Sequence, residues 1–203
     1  MSTLLQAVNS ILRDEFKVHG AIRLEESHVL STCEPIVLQK RGPAVVLKLD
    51  AQPPAACERT DCPRTFSVGD RIFPLFVARS GIHSICDYII FYQHREETGN
   101  PVYVFLCELK SGRIDGSRQQ IENGRILAEH IVRMAAHHQI DEVVREGPEI
   151  RYRGIIFAPK LPEPKSSSRR PKCPYEPYPG GMQDLLVVRC RAGGTRELHY
   201  FCA

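Results

Sequence analysis

The sequence predicts a mixed α/β (α+β) fold, with a central mixed β-sheet flanked by helices and Pro-rich insertions. Three observations predict it. Apolar residues recur at helical spacing at the N-terminus and again over Ser117–His138. Two apolar runs of strand length, Ser84–Phe91 and Val102–Lys110, are joined by the polar turn His94–Pro101. A third apolar run, Tyr152–Ala158, follows the second helix. Strand, helix, strand in that order suggests a right-handed crossover to a parallel neighbour.

Each element has its own signal. Ser2–Val18 reads as a helix on Leu4, Leu5, Val8, Ile11, Leu12 and Phe16, with Gly20 as its stop. Pro35–Asp50 holds Ile36-Val37-Leu38 and Ala44–Leu49 around Gly42-Pro43, which reads as a β-hairpin. Residues 51–70 carry Pro53, Pro54, Pro63, Gly69 and two cysteines and read as an irregular insertion, with a short strand over Arg71–Ala78. Ser117-Arg118-Gln119-Gln120 has the capping-box pattern, and Ile121, Ala128, Ile131, Val132 and Ala135 make an apolar stripe behind it. Residues 159–181 are rich in Pro, Ser, Lys and Arg and read as a loop. Leu185–Val188 and Leu198–Phe201 read as a closing strand pair.

At 203 residues the chain fits one domain, 1–203, with 51–70 and 159–181 as insertions. Its 42% apolar and 25% charged content is that of a globular protein. No apolar run approaches the roughly 20 residues of a membrane helix. The N-terminus lacks the basic and apolar regions of a signal peptide, so a cytoplasmic location and eight cysteines as thiols are the expectation. Charge is uneven. Residues 151–203 carry 10 Lys+Arg against 4 Asp+Glu, whereas the first 150 carry 17 against 20. A basic C-terminal quarter suits a phosphate backbone or is a solvated loop.

Three charges stand out against this background. Asp87 lies in Ser84-Ile85-Cys86-Asp87-Tyr88-Ile89-Ile90-Phe91, and Glu108-Leu109-Lys110 closes the next strand. Charges in such apolar runs need partners, because burying one unpaired costs several kcal/mol. Side-chain alternation puts Glu108 and Lys110 on one face and Leu109 on the other. Asp87 reaches that face if the register permits. Two carboxylates make a divalent-metal site: Asp87 and Glu108 as ligands, the Leu109 carbonyl as a third, and Mg²⁺ completed by waters. Lys110 would stand beside the attacking water and the phosphate, either helping deprotonate the one or stabilising charge on the other.

Asp87, then Glu108-Leu109-Lys110, then Gln120 in the following helix resembles the PD-(D/E)XK, or restriction-endonuclease-like, nuclease superfamily in its ELK…Q variant. The order of helix, three strands with the motif in the second and third, helix and strand is similar to that family's core. The resemblance implies a Mg²⁺-dependent nuclease, with Mn²⁺ able to substitute, acting as an endonuclease on DNA rather than RNA. It implies a role in anti-phage defence, restriction or repair, and a homodimer or an activating protein partner. It also implies that a helical Gln reaches the catalytic face, either Gln120 or Gln119. A first-helix acid is implied too, with Glu15 preferred on that helix and Glu34 as the alternative. The residue before Asp87 is Cys86, where the family often has Pro.

Blander readings compete at each position. Asp87, Glu108 and Lys110 can form a structural ion pair, and the fold can carry a catalytically idle nucleic-acid-binding or protein-interaction module. Gln120 can serve only as the third helical residue of the capping box. Cys57 and Cys62, completed by Cys173 and Cys33 or a His, have the spacing of structural Zn²⁺ and would make a zinc-stabilised adaptor. Cys86 and Cys107 read as buried thiols, His137-His138 as a helix end, and His83 as a loop histidine or a phosphate contact. Lys165, Arg169, Arg170 and Lys172 contact nucleic acid or lie in a solvated loop.

Overall fold

The computed structural model describes residues 4–26, 31–49, 81–94, 99–112, 114–139, 148–161, 173–178, 181–182 and 184–202. The elements are α1 (Leu4–Ile11), β1 (Ile22–Leu24), β2 (Ile36–Gln39), β3 (Ala44–Lys48), β4 (Tyr88–Gln93), β5 (Val102–Leu109), α2 (Ser117–Gln139), β6 (Ile150–Ala158), β7 (Glu176–Pro177), β8 (Leu186–Arg191) and β9 (Gly194–Glu197). Six strands form one mixed sheet in the order β3-β4-β5-β6-β8-β7, and three form a second in the order β1-β2-β9. The fold is therefore mixed α/β.

Strand β5 organises the molecule. All eight of its residues are buried, as in a strand covered on both faces. Tyr103, Phe105, Cys107 and Leu109 face a core shared with Ile22, Leu24, Ile36, Leu38 and Phe201. Val102, Val104 and Leu106 face a second core shared with Leu4, Leu5 and Val8 of α1 and Ile121, Ala128, Ile131 and Ala135 of α2. The large sheet is thus sandwiched between the small sheet and the two helices. β5 pairs antiparallel with β4 and parallel with β6, so α2 is the crossover that returns the chain for a parallel neighbour.

Glycine lets α2 approach closely. A side chain at Gly124 would run into the Cys86 sulfur and lie 3.6 Å from Leu106. Gly124→Val is expected to lower unfolding free energy by roughly 1–3 kcal/mol through overpacking. The gain in helix propensity is only a few tenths of a kcal/mol. Urea denaturation of the two proteins checks this.

Several elements differ from their sequence readings. The first helix is shorter than Ser2–Val18, because Lys17 bridges Leu47 and the Val18 N–H donates to Val46 O at 2.9 Å. Pairing with β3 replaces further helix, and Asp14–Phe16 is only a 3₁₀ turn. Pro35–Asp50 is not a hairpin. β2 pairs with β1 and β9, whereas β3 pairs with β4, so Gly42-Pro43 is a corner between two sheets. Gly42 packs against Tyr92, and Gln93 N–H donates to Pro43 O at 3.1 Å. The strand expected over Ser84–Phe91 begins only at Tyr88, so Asp87 stands just before it.

The closing pair is also different. Leu198–Phe201 is a 3₁₀ turn with Leu198 and Phe201 buried, and β8 instead ends at Arg191. Gly193 and Gly194, with φ of 94° and 75°, turn the chain from the large sheet into the small one. Within 159–181, Glu176–Pro177 forms a short edge strand on β8. The readings for 51–70 and Arg71–Ala78, and the basic residues Lys165, Arg169, Arg170 and Lys172, lie outside the described residues. Among the described residues, no helix is long and apolar enough to cross a membrane.

Candidate active site

The backbone sets the geometry. The β4–β5 register pairs Tyr88 with Cys107, so one step further Asp87 faces Glu108. Asp87 O accepts from Leu49 N–H at 2.8 Å, on the side away from β5. Asp87 and Glu108 therefore oppose each other as a non-hydrogen-bonded pair, in which Cα atoms approach to about 4.5 Å and side chains lie closest. Both project toward the helices, on the side of Ile89 and Leu106.

Beyond Asp87 the chain leaves the sheet, because Cys86 N–H donates to Gln120 O in α2 at 3.0 Å. Leu109 N–H thus has no strand opposite it. The Asp87 carboxylate takes the vacancy and accepts from Leu109 N–H at 2.6 Å. A strand residue's N–H and C=O point the same way, so the Leu109 carbonyl also turns toward Asp87. Lys110 N–H points oppositely, to Phe157 O at 2.8 Å.

The side chains then converge. Lys110 Nζ lies 2.7 Å from Glu108 Oε1 and donates to Gln120 Oε1 at 2.5 Å. The Lys110 ammonium can only donate, so the Gln120 amide turns its oxygen to it. Gln120 Nε2 donates to Ile85 O at 3.5 Å. The capping box is absent: Ser117 Oγ donates backward to Ile114 O at 2.7 Å. Gln120 is thereby freed from helix capping and joins the charged cluster. Gln119 instead packs against Gly81. Asn123, one turn on, donates to Gly81 O at 3.0 Å and Ser84 O at 2.6 Å, anchoring the segment with His83 that leads into Asp87.

Burial decides the electrostatics. The Glu108 side chain is 2% exposed and that of Lys110 is 20%, so solvent enters from the lysine side. Desolvation pushes the Glu108 carboxyl up to about 7, against the lowering effect of Lys110 and, more weakly, of the Asp87 N–H and the Gln120 amide. Among the described residues, nothing hydrogen-bonds to the buried Glu108 Oε2. An orphan acceptor beside a second carboxylate is what a hard cation would satisfy, and two carboxylates plus a carbonyl fit Mg²⁺ or Mn²⁺. Among the described residues no three His, Cys, Asp or Glu side chains come together as a metal cluster. The oxygens that could hold such a cation are those of Asp87, Glu108 and the Leu109 carbonyl, with waters completing its shell.

Other candidates lie elsewhere. Glu15 is on the 3₁₀ turn rather than on α1, is exposed, and pairs with Arg13 at 3.4 Å. Glu34 is exposed and packs on Gly193. Cys57 and Cys62 lie outside the described residues, and Cys33 and Cys173 are buried in the core. Burial raises the thiols of Cys86 and Cys107. His137 and His138 end α2.

Glu26 is an acid the sequence did not reveal. Its carboxylate accepts from Ser31 Oγ and from Ser111 Oγ, the residue after Lys110. Thr32 Oγ1 donates to Ser111 O at 2.9 Å. These bonds clamp the end of the motif from the small-sheet side. Ser111 next to the motif is the only local hint of it; the stretch containing Glu26 has no distinguishing pattern.

No protein-family model matches this chain, and neither a curated protein nor a solved structure matches it.

Proposed function

We propose that the protein is a metal-dependent nuclease of the PD-(D/E)XK type, on a restriction-endonuclease-like core, with DNA favoured over RNA. One observation carries the reading. A buried Glu108, directly opposite Asp87, has one oxygen on Lys110 and the other without a hydrogen bond among the described residues. The succession α1, β3, β4, β5, α2, β6, with the charges where β4 begins and β5 ends, agrees with that core. The position agrees as well, since ligands of open α/β sheets gather at the carboxyl ends of strands, where β5 and β6 end.

Asp87, Glu108 and the Leu109 carbonyl would hold Mg²⁺ or Mn²⁺, which when bound neutralises phosphate charge and lowers the pKa of water. Asp87, held by Leu109 N–H, keeps its carboxylate at the strand end without a rotamer search. Lys110, aimed by Gln120, presents a fixed ammonium where charge develops on the phosphate. Glu108 holds that ammonium in place until substrate and cation arrive.

Purified protein is incubated with plasmid DNA, linear DNA and RNA, with Mg²⁺, Mn²⁺ or EDTA. Cleavage is expected with either metal and none with EDTA. Cleavage that survives EDTA, or that persists in Glu108→Ala and Lys110→Ala, overturns the assignment. Retention of labelled DNA without cleavage under any metal identifies an idle binding module instead.

A further inference from the structure

The edge of the large sheet carries a second feature on the same face as Glu108. Register places Glu108 beside Ile156 on β6, and Ile156 beside Arg189 on β8. The three share one face, and two strand spacings put Arg189 about 9.6 Å from Glu108 across the sheet. Arg189 borders a cavity of about 330 Å³, lined also by Leu161, Pro174, Glu176, Tyr178 and Val187. Such a volume is at the small end of ligand pockets, which run from about 300 to 1,000 Å³.

The chemistry of this cavity is specific. Tyr178 offers an aromatic ring, with the Arg189 guanidinium 5.8 Å from its centroid. Arg189 and Glu176 are exposed, and their side chains make no hydrogen bond or ion pair among the described residues. The Glu176 carboxylate would repel a phosphate inside the cavity but would accept from an exocyclic amine, as carboxylates accept from cytosine N4. Bases stack on aromatic rings and on guanidinium planes, the two groups that Tyr178 and Arg189 bring to this cavity. Such a base has to be unstacked from its own strand, which single strands and frayed ends permit without breaking a pair.

We infer that this cavity is a nucleobase subsite, holding an amino-bearing base of an unpaired strand whose neighbouring phosphodiester lies at Glu108 and Lys110. The inference rests on the nuclease reading for the position of that bond and on the cavity's own chemistry for the base. The substrate class is thus single-stranded or locally melted nucleic acid, with cytosine preferred to thymine.

Labelled oligo-dC, oligo-dT, oligo-rC and a paired duplex are presented with Mg²⁺ to wild type, Tyr178→Ala, Arg189→Ala and Glu176→Gln. Binding is measured on the same variants in a Glu108→Gln background. Tyr178→Ala is expected to weaken oligo-dC binding and raise its KM about tenfold or more, with kcat little changed. Arg189→Ala, at an exposed position that does not threaten the fold, shifts both in the same direction. Glu176→Gln is expected to erase most of the dC-over-dT preference. Equal behaviour on oligo-rC places the subsite on either nucleic acid, and a dC-only effect restricts it to DNA; both support it.

Glu108-dependent cleavage that ignores Tyr178 and Arg189, or that favours intact duplex, overturns the subsite while leaving the nuclease. Tyr178-dependent binding of oligo-dC without any cleavage leaves the subsite and overturns the nuclease. Absence of both binding and cleavage overturns both.

Discussion

Glu108→Gln is expected to cut metal-dependent cleavage by at least about 10³-fold, since a bound cation supplies several kcal/mol and each 1.4 kcal/mol is a decade. The same change leaves a second trace in the metal-free protein. The carboxyl is pushed up to about 7 in the folded state, from an ordinary value of 4.5. Between those limits the folded state binds the extra proton, so wild-type stability falls as pH rises from about 4.5 to about 7 and stays at the lower level above. The loss is on the order of 2–4 kcal/mol.

In the Gln variant that fall is absent. Its stability relative to wild type is flat below about pH 4.5, moves in its favour up to about pH 7, and is flat again above. The amide has unmet hydrogen bonds of its own, which add a constant offset. The pH dependence of the difference in urea midpoint is therefore the readout. Added Mg²⁺ or Mn²⁺ is expected to raise the wild-type Tm and not that of the variant, because only a site present in the folded state couples binding to stability. A pH-independent difference, or a variant that still cleaves, would refute the role given to Glu108.

Lys110→Met keeps the aliphatic stem and removes the charge. Cleavage is expected to fall by about 10²- to 10⁴-fold, the span for losing a positioned proton-transfer or charge-stabilising group. Stability is expected to fall too, because Glu108 Oε1 loses the ammonium 2.7 Å away. Stranding a buried charge costs roughly 3–5 kcal/mol. Glu108 escapes that cost when protonated, so the penalty at pH 5 is smaller than at pH 8. Equal penalties at the two values would show that the pair is not what the lysine stabilises.

Much of the large sheet was readable because its residues carry unambiguous patterns. β5 is apolar at seven of eight positions, and α2 repeats its apolar residues at helical spacing from Ile121 to Ala135. The opposition of Asp87 and Glu108 was less readable. Spacing allowed it, but the register is fixed by Tyr88 against Cys107 and by the loss of Cys86 to α2. Gly42-Pro43 signals that the chain turns, but not which strand each arm then pairs with. The shortened first helix has the same cause: Lys17 and Val18 follow a helical pattern, yet β3 takes their backbone. Glu26 escaped notice because Ser111, which ties it to the motif, lies 85 residues away and is brought to it only by the tertiary fold.

The pairing of β2 with β9 joins Ile36 to Gly194. A contact between such distant stretches of chain is slow to form, since the loop must close before the contact repays its entropy. On the ribosome, where segments emerge from the N-terminus first, β1 and β2 wait for β9 before the small sheet can close. Leu24 and Ile36 belong to the core that backs Leu109, and Glu26 lies just past the end of β1 at Leu24. The charged corner at Lys110 is therefore among the last parts of the nascent chain to acquire its native support.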